Sequence, residues 1–262
     1  MAEVITFSAA AGMQAAMTEI ANRTNNLGNV NSLGYQSIET ETKDSFYNHL
    51  SKAGIREAAS VGEKPVNVYV GTGVKVTGTY RNLEQGTIKQ TGHPLDMAIV
   101  GSGYFAVMLP NNVRGYSRAG AFQVNNARQV VTSEGYALEP AITIPENVQI
   151  STLKITEEGQ ITGFDGAGNP IEIGQIQVYG FANERGLSPA GRSYFTETEA
   201  SGEGQANTPG DAGFGRIAQG SVELSNVKVA NEFASFMAAQ QAYDMSSRML
   251  KAVDEMLKEL NK

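Results

Sequence analysis

The chain has 262 residues and a formal charge of −7, with 20 Lys and Arg against 27 Asp and Glu. That length allows one to three domains with a real core. The acidic balance supplies neither the basic footprint of nucleic-acid binding nor a basic face for anionic lipid, and without cysteine there is no disulfide framework and no thiolate metal site.

From about Thr6 to Leu27 the sequence reads as a helix. Thr6 or Ser8 supplies a cap, the alanines favour the helix, and Gly12 is its weak position. Met13, Ile20 and Leu27 recur every seven residues, with Met17 and Thr24 on the flanking seam. A secretory signal needs a basic start, an apolar stretch and a small-residue cleavage site. Here Glu3 is the first charge, Arg23 the first basic residue, and Gln14 and Thr18 interrupt the apolar run. No stretch reaches the ~18 apolar residues of a membrane span, so neither membrane insertion nor a cleaved signal is expected. The helix should close within 25–29, with Gly28 or an asparagine in the left-handed position. Residues 44–65 read as an extended hairpin or mobile loop, punctuated by Gly54 and Gly62-Glu63-Lys64-Pro65.

From Val66 the apolar period changes to two: Val66, Val68 and Val70 alternate with Asn67 and Tyr69. Further strands are expected at 95–100, 103–109, 121–124, 128–132, 142–150, 153–157, 171–182 and 193–197. Short strands punctuated this often by Gly and Pro indicate a mostly antiparallel sandwich or barrel. Asp165-Gly166-Ala167-Gly168-Asn169 reads as a hairpin turn, and 201–215 as a mobile Gly-rich loop. Near Asn226 the helix period returns and runs to Leu260, with Val229, Phe236, Tyr243, Leu250 and Leu257 as a second heptad stripe and Phe233 beside it. A helix of this length is more often an assembly element than a globular one.

Little in the chain carries chemistry. His49 and His93 stand in separate segments, and no cysteine completes a zinc site. Gly71-Thr72-Gly73 and Gly101-Ser102-Gly103 continue into neither a dinucleotide fingerprint nor a P-loop, and read as tight turns or bulges. Glu157-Glu158 and Asp254-Glu255 read as solvated faces or turns. No catalytic, cofactor-binding or metal-binding residue is therefore expected. Tyr104, Phe105, Tyr116 and Tyr136 fit either a stacking surface for a ligand or core packing.

The two stripes can pair with each other as a coiled coil. The surface of such a pair would stay rich in Ala and Met (Ala9, Ala10, Ala11, Ala15, Ala16, Met237, Ala238, Ala239, Ala242), and a two-helix hairpin cannot bury all of it. The reading is an α+β chain: a mostly antiparallel β-domain with long N- and C-terminal helices that pair as a coiled coil. Residues 1–43 with 221–262 form the helical assembly domain, 44–65 the extended segment and 66–220 the β-rich outer domain. The expected assembly interface is Met13, Met17, Ile20, Leu27, Val229, Phe233, Phe236, Tyr243, Leu250 and Leu257.

A family resemblance joins these readings. Asn25-Asn26-Leu27-Gly28-Asn29-Val30-Asn31-Ser32-Leu33-Gly34-Tyr35 resembles the "NNLANVNTxGF/Y" signature of bacterial flagellar rod and hook proteins. Gly71-Thr72-Gly73-Val74, Gln85-Gly86, Asp96-Met97-Ala98-Ile99 and Gly101-Ser102-Gly103-Tyr104-Phe105-Ala106-Val107 resemble the start of that family's β-domain. Tyr116-Ser117-Arg118-Ala119-Gly120-Ala121-Phe122 is similar to its "YTRxGxF" stretch, and Gln219 to Val227 to its "QGxxExSNVN" lead into the C-terminal helix. The matches come in order over nearly the whole chain, and the length is nearest that of the distal-rod members, with proximal-rod members next. Departures are Gly28 for the usual Ala, Gln241 for the usual Arg, and Lys228 where Asn is common.

The resemblance implies a structural subunit, without enzymatic activity or cofactor, that polymerises with itself into a helical tube in the periplasm and transmits torque from motor to hook. The implied partners are the proximal-rod and hook-side proteins, the surrounding bushing rings and the flagellar type III export apparatus, with export not involving signal cleavage. Segment 44–65 corresponds to an element associated with stiffness. A ligand-binding β-domain with helical oligomerisation ends is the competing reading.

Overall fold

A computed structural model describes residues 2–51, 68–166, 168–211 and 213–260. The protein is α+β. Its contacts divide it into two compact units, one of residues 1–27, 38–80 and 228–262, the other of 28–37 and 81–227. Relative to the division expected from sequence, 28–37 and 221–227 go with the β-rich unit, whose strands and turns they bond, and 66–80 goes with the helices.

The first unit holds two helices, α1 (Ala2–Gly28) and α2 (Val229–Leu260), roughly 40 and 48 Å long at 1.5 Å per residue. Gly28 closes α1 without a left-handed φ; the left-handed residue of the connection is Gly34, at φ 61°. This unit also holds strands: Ile38–Asp44 pairs with Val74–Arg81, whose last residue belongs to the second unit, and Tyr47–Ser51 pairs antiparallel with Val68–Gly71. The expected extended segment 44–65 is thus strand over its first residues, and 52–65 lie outside the described residues.

The second unit is built from short antiparallel pairings. Its largest sheet runs Leu138–Glu139, Phe105–Leu109, Val113–Ser117, Tyr194–Thr196, Ser188–Gly191. A three-stranded sheet joins Lys154–Ile155, Gln160–Phe164 and Pro170–Gln175, and Met97–Val100 pairs with Arg216–Gln219. One core gathers Met97, Ile99, Phe105, Val107, Phe122, Leu138, Ile144, Ile176 and Ile217. A second, aromatic core holds Tyr104, Tyr116, Tyr179 and Phe195, with Phe181 against it.

Several expected strands lie within a residue or two of observed ones; others do not. The stretch 142–150 is irregular: Pro145 removes a ladder donor, yet Ile142, Ile144 and Val148 still insert into the core. The expected strand 171–182 divides into Pro170–Gln175 and Val178–Gly180. Within 201–215, Gln205–Asn207 pairs with Val178–Gly180, so part of that expected loop is strand. The turn at 165–169 has the expected form, with the Asp165 and Gly168 N–H groups donating to Asn169 and Asp165 carbonyls.

A Cβ on Gly34 would run into the backbone of Arg118 and Ala119, and its φ is one that L side chains adopt at a cost. Gly34→Ala should cost at least about 2 kcal/mol, read as a lowered denaturant midpoint. Burial is the leading cause that raises the Tyr104, Tyr116 and Tyr194 hydroxyls well above the usual tyrosine range. The unfolded chain, with tyrosines near about 10, therefore releases protons first, and the stability held below that pH falls as pH rises above it. In a 295 nm titration these three should ionise only as the unit unfolds, after the exposed tyrosines.

Candidate assembly surface

The helices of the first unit meet through small and polar residues. On α1, Ala9, Gly12, Ala16, Glu19, Arg23 and Asn26 follow alternating steps of three and four, which is a heptad seam. Ala9, Ala16 and Asn26 in this series are buried. A Cβ added at Gly12 would stand 3.1 Å from Ser246 Oγ. Further along, Arg23 pairs with Glu232 at 3.2 Å and with Glu19 at 2.6 Å. Since position 12 meets 246 and position 23 meets 232, the two helices run antiparallel.

Asn26 is fully buried and joins three elements. Its Nδ2 donates to Glu232 Oε2 at 3.2 Å and to the Ile38 carbonyl at 2.9 Å, while its Oδ1 accepts the Ile38 N–H at 2.9 Å. The side-chain amide thus bonds both backbone groups of one strand residue, as a neighbouring strand would, and satisfies donors and acceptors that would be costly if left unpaired.

On α2 the inward series is Glu232, Phe236, Ala239, Tyr243, Ser246, Leu250, Val253 and Leu257, again in alternating steps of four and three. Of the expected interface residues, Phe236, Tyr243, Leu250 and Leu257 belong to it and are partly buried, whereas Val229 and Phe233 are 44% and 53% exposed. On α1 the contacts to α2 fall one position before the expected stripe: Met13, Ile20 and Leu27 are partly buried beside the seam, and Met17 is 57% exposed. Large apolar side chains remain uncovered on both helices. Ile5 and Phe7 join Met17 on α1, and Met237, Met245, Met249 and Met256 continue the row from Val229 and Phe233 along α2. At 3.6 residues per turn, their largely four-residue steps wind across the face of α2 opposite the seam.

The remaining signature residues divide between the units. Asn25 is exposed, and Leu27 ends the first unit. Asn29, Val30, Gly34 and Tyr35 lie in the second, where the Asn29 carbonyl and side chain accept bonds from Ser32 and Val30 is partly buried. Within that unit the stretches that resembled family motifs converge on one polar knot. Arg118 and Glu223, both almost fully buried, form an ion pair at 2.8 Å. The Arg118 guanidinium also donates to the carbonyls of Gly103 and Gly101 at 2.9 and 2.8 Å. Glu223 accepts the Gly86 N–H on its side chain and the Gly34 N–H on its carbonyl. Three residues on, Asn226 accepts the Ser37 N–H at 2.7 Å and donates to the carbonyls of Asn82 and Glu84 at 2.9 Å each, and its own N–H reaches the Tyr35 carbonyl. The sequence presented Arg118, Glu223 and Asn226 inside recognisable stretches but gave no sign that they meet. Arg23 and Glu232, 209 positions apart, were likewise not expected as partners.

Of the four aromatic candidates, Tyr104, Phe105 and Tyr116 have no exposed surface and so offer no stacking face, and Tyr136 is partly buried against the core. Among the described residues no three His, Cys, Asp or Glu groups converge as metal ligands, and no helix is long and apolar enough to cross a membrane.

One unit carries long terminal helices with uncovered apolar side chains and the other is antiparallel β, and the comparisons give the chain a family. Residues 98–163 match the flagellar hook protein FlgE/F/G D1 domain, and 218–262 match the flagellar basal body rod FlgEFG protein C-terminal domain. The flagellar basal-body rod protein FlgG of Caulobacter vibrioides is 39% identical over 251 residues, 95% of each chain. The FlgG of Borreliella burgdorferi is 38% identical over 252 residues, 96% of this chain and 95% of the relative. That of Bacillus subtilis is 31% identical over 260 residues, 97% and 96% respectively. The chain belongs to the flagellar basal-body rod protein family whose members include FlgG, structural proteins of the flagellar basal body rather than enzymes.

Removing Arg118 would strand a buried carboxylate and free three stretches of chain. Arg118→Ala should destabilise the second unit by about 3–5 kcal/mol, seen in thermal unfolding and as lost hydrogen-exchange protection at Gly34 and Gly86.

Proposed function

We propose that the protein is a subunit of the distal flagellar rod, polymerising into a stiff helical tube in the periplasm that carries torque from motor to hook. The observation that carries this reading is the uncovered apolar row on α2: Met245 and Met249 are 69% and 63% exposed on a helix whose opposite face is already buried. Contiguous exposed apolar surface of this kind marks an interaction site. Head-to-tail contacts that do not close into a ring produce an open helical filament.

In this reading α1 and α2 pair as a coiled coil, and Met13, Met17, Ile20, Leu27, Val229, Phe233, Phe236, Tyr243, Leu250 and Leu257 supply the contacts within and between subunits. Residues 1–43 with 221–262 act as the inner assembly layer, 66–220 as the outer layer, and 44–65 as a bridge to a neighbouring subunit that restricts bending. The chain leaves the cytoplasm through the flagellar type III apparatus without signal cleavage. In place it contacts proximal-rod and hook-side proteins and the surrounding bushing rings.

Met245→Lys with Met249→Lys places two charges on that row without touching the seam. The double variant should keep its helical circular dichroism yet fail to enter isolated hook–basal bodies, with motility lost. Normal incorporation would sink the assigned interface.

A further inference from the structure

The arginines of the described chain fall into two groups. Arg23, Arg114, Arg118 and Arg216 each pair with a carboxylate, and Arg128 donates to the carbonyls of Ile144 and Val148. Arg185, Arg192 and Arg248 are exposed. Arg81 differs from both. It is partly buried, and among the described residues no carboxylate or carbonyl accepts from its guanidinium. Its guanidinium lies over the ring of Phe195, 3.8 Å from Cζ to the centroid, and the Tyr104 and Tyr35 hydroxyls are near enough to act on its charge. Burial pulls its pKa below the ordinary arginine value, whereas the bonded Glu139 raises that of Arg114.

The neighbouring Tyr104 hydroxyl is bonded elsewhere: it donates to Glu184 at 3.1 Å and accepts from Gln36 Nε2 at 3.3 Å. A guanidinium stacked on an aromatic ring has its plane fixed while its N–H donors point outward along that plane. Such a group is preorganised for the two oxygens of a carboxylate. Desolvating a cation without an acceptor is otherwise a pure cost.

We propose that Arg81, held flat on Phe195, is a docking point for a carboxylate of a second copy of this chain. The inference rests on the reading that the protein polymerises. It adds a polar contact, carried by the β-rich unit, to an assembly otherwise argued from apolar helix faces. Charge complementarity names the occupant. Each copy carries 27 acidic against 20 basic residues, so a neighbouring copy presents carboxylates in excess, while Arg81 is a partly buried cation that no carboxylate among the described residues meets.

The test uses Arg81→Lys in cells, followed by treatment of isolated hook–basal bodies with a water-soluble carbodiimide, which joins a lysine amine to a carboxylate in contact with it. Arginine does not react, so the unsubstituted chain is the control. The expected result is a covalent dimer specific to the variant, with mass spectrometry mapping residue 81 joined to an Asp or Glu of another copy. Arg81→Ala rods should dissociate at least about tenfold faster than those of Arg81→Lys. Links between copies through other lysines, with none at 81, would leave the polymer standing and overturn the docking point. A chain showing no links between copies at any lysine would overturn the polymer reading and this inference with it.

Discussion

A helix with apolar residues on two faces cannot bury both against a single partner. On α2 one series, from Glu232 to Leu257, turns inward, while Val229, Phe233, Met237, Met245, Met249 and Met256 stay exposed. On the partner helix Gly12 meets Ser246, and Ala9 and Ala16 are buried along the same stripe. Large apolar side chains of α1, Phe7 and Met17 among them, stay exposed. Both helices therefore keep uncovered apolar surface. That surface favours a function in assembly over one in catalysis. Methionine suits it, since a flexible thioether adapts to slightly different neighbours along a helical lattice.

Polar ties supply what the apolar seam lacks, a defined register. Apolar contacts of similar size slide past one another at little cost, whereas a buried ion pair tolerates one arrangement. Arg23 and Asn26 on Glu232 fix α1 against α2 in this way, and Arg118 on Glu223 fixes the turns around Gly86 and Gly34 in the β-rich unit. Such pairs contribute little net stability over an apolar replacement and much specificity. Two asparagines do the same for the backbone. Asn226 takes the N–H of Ser37, and Asn26 takes both backbone groups of Ile38, so two consecutive residues, where the chain passes from one unit to the other, are each held by a side-chain amide.

Much of the architecture was legible in the sequence. The two long helices, the antiparallel character of the middle and the turn at 165–169 follow from period, Gly and Pro alone. So does the sharing of one face by Phe236, Tyr243, Leu250 and Leu257. The heptad on α1 was legible as a period but not as a face. Hydropathy weights Met13, Ile20 and Leu27 above Ala9, Gly12 and Ala16, whereas close packing favours the small residues. Val113–Ser117 passed unnoticed because Arg114 and Gly115 hide its alternation, although Gly115 is where Leu109 of the neighbouring strand needs room. In the other direction, Ile142, Ile144 and Val148 resembled strand residues because they are core residues, and burial does not require a ladder.

What the sequence determined by itself was the class: an acidic, cysteine-free α+β chain with helical ends, carrying the stretches of a flagellar rod protein. These are local properties of composition, period and motif. The tertiary structure alone decided which charges meet, because Arg23 with Glu232 and Arg118 with Glu223 are joined across 209 and 105 positions. It decided that Tyr104 and Tyr116 are core rather than surface, and it set Arg81 on the ring of Phe195. Each of these depends on which segments the fold brings together, and no local pattern encodes a distance across the chain.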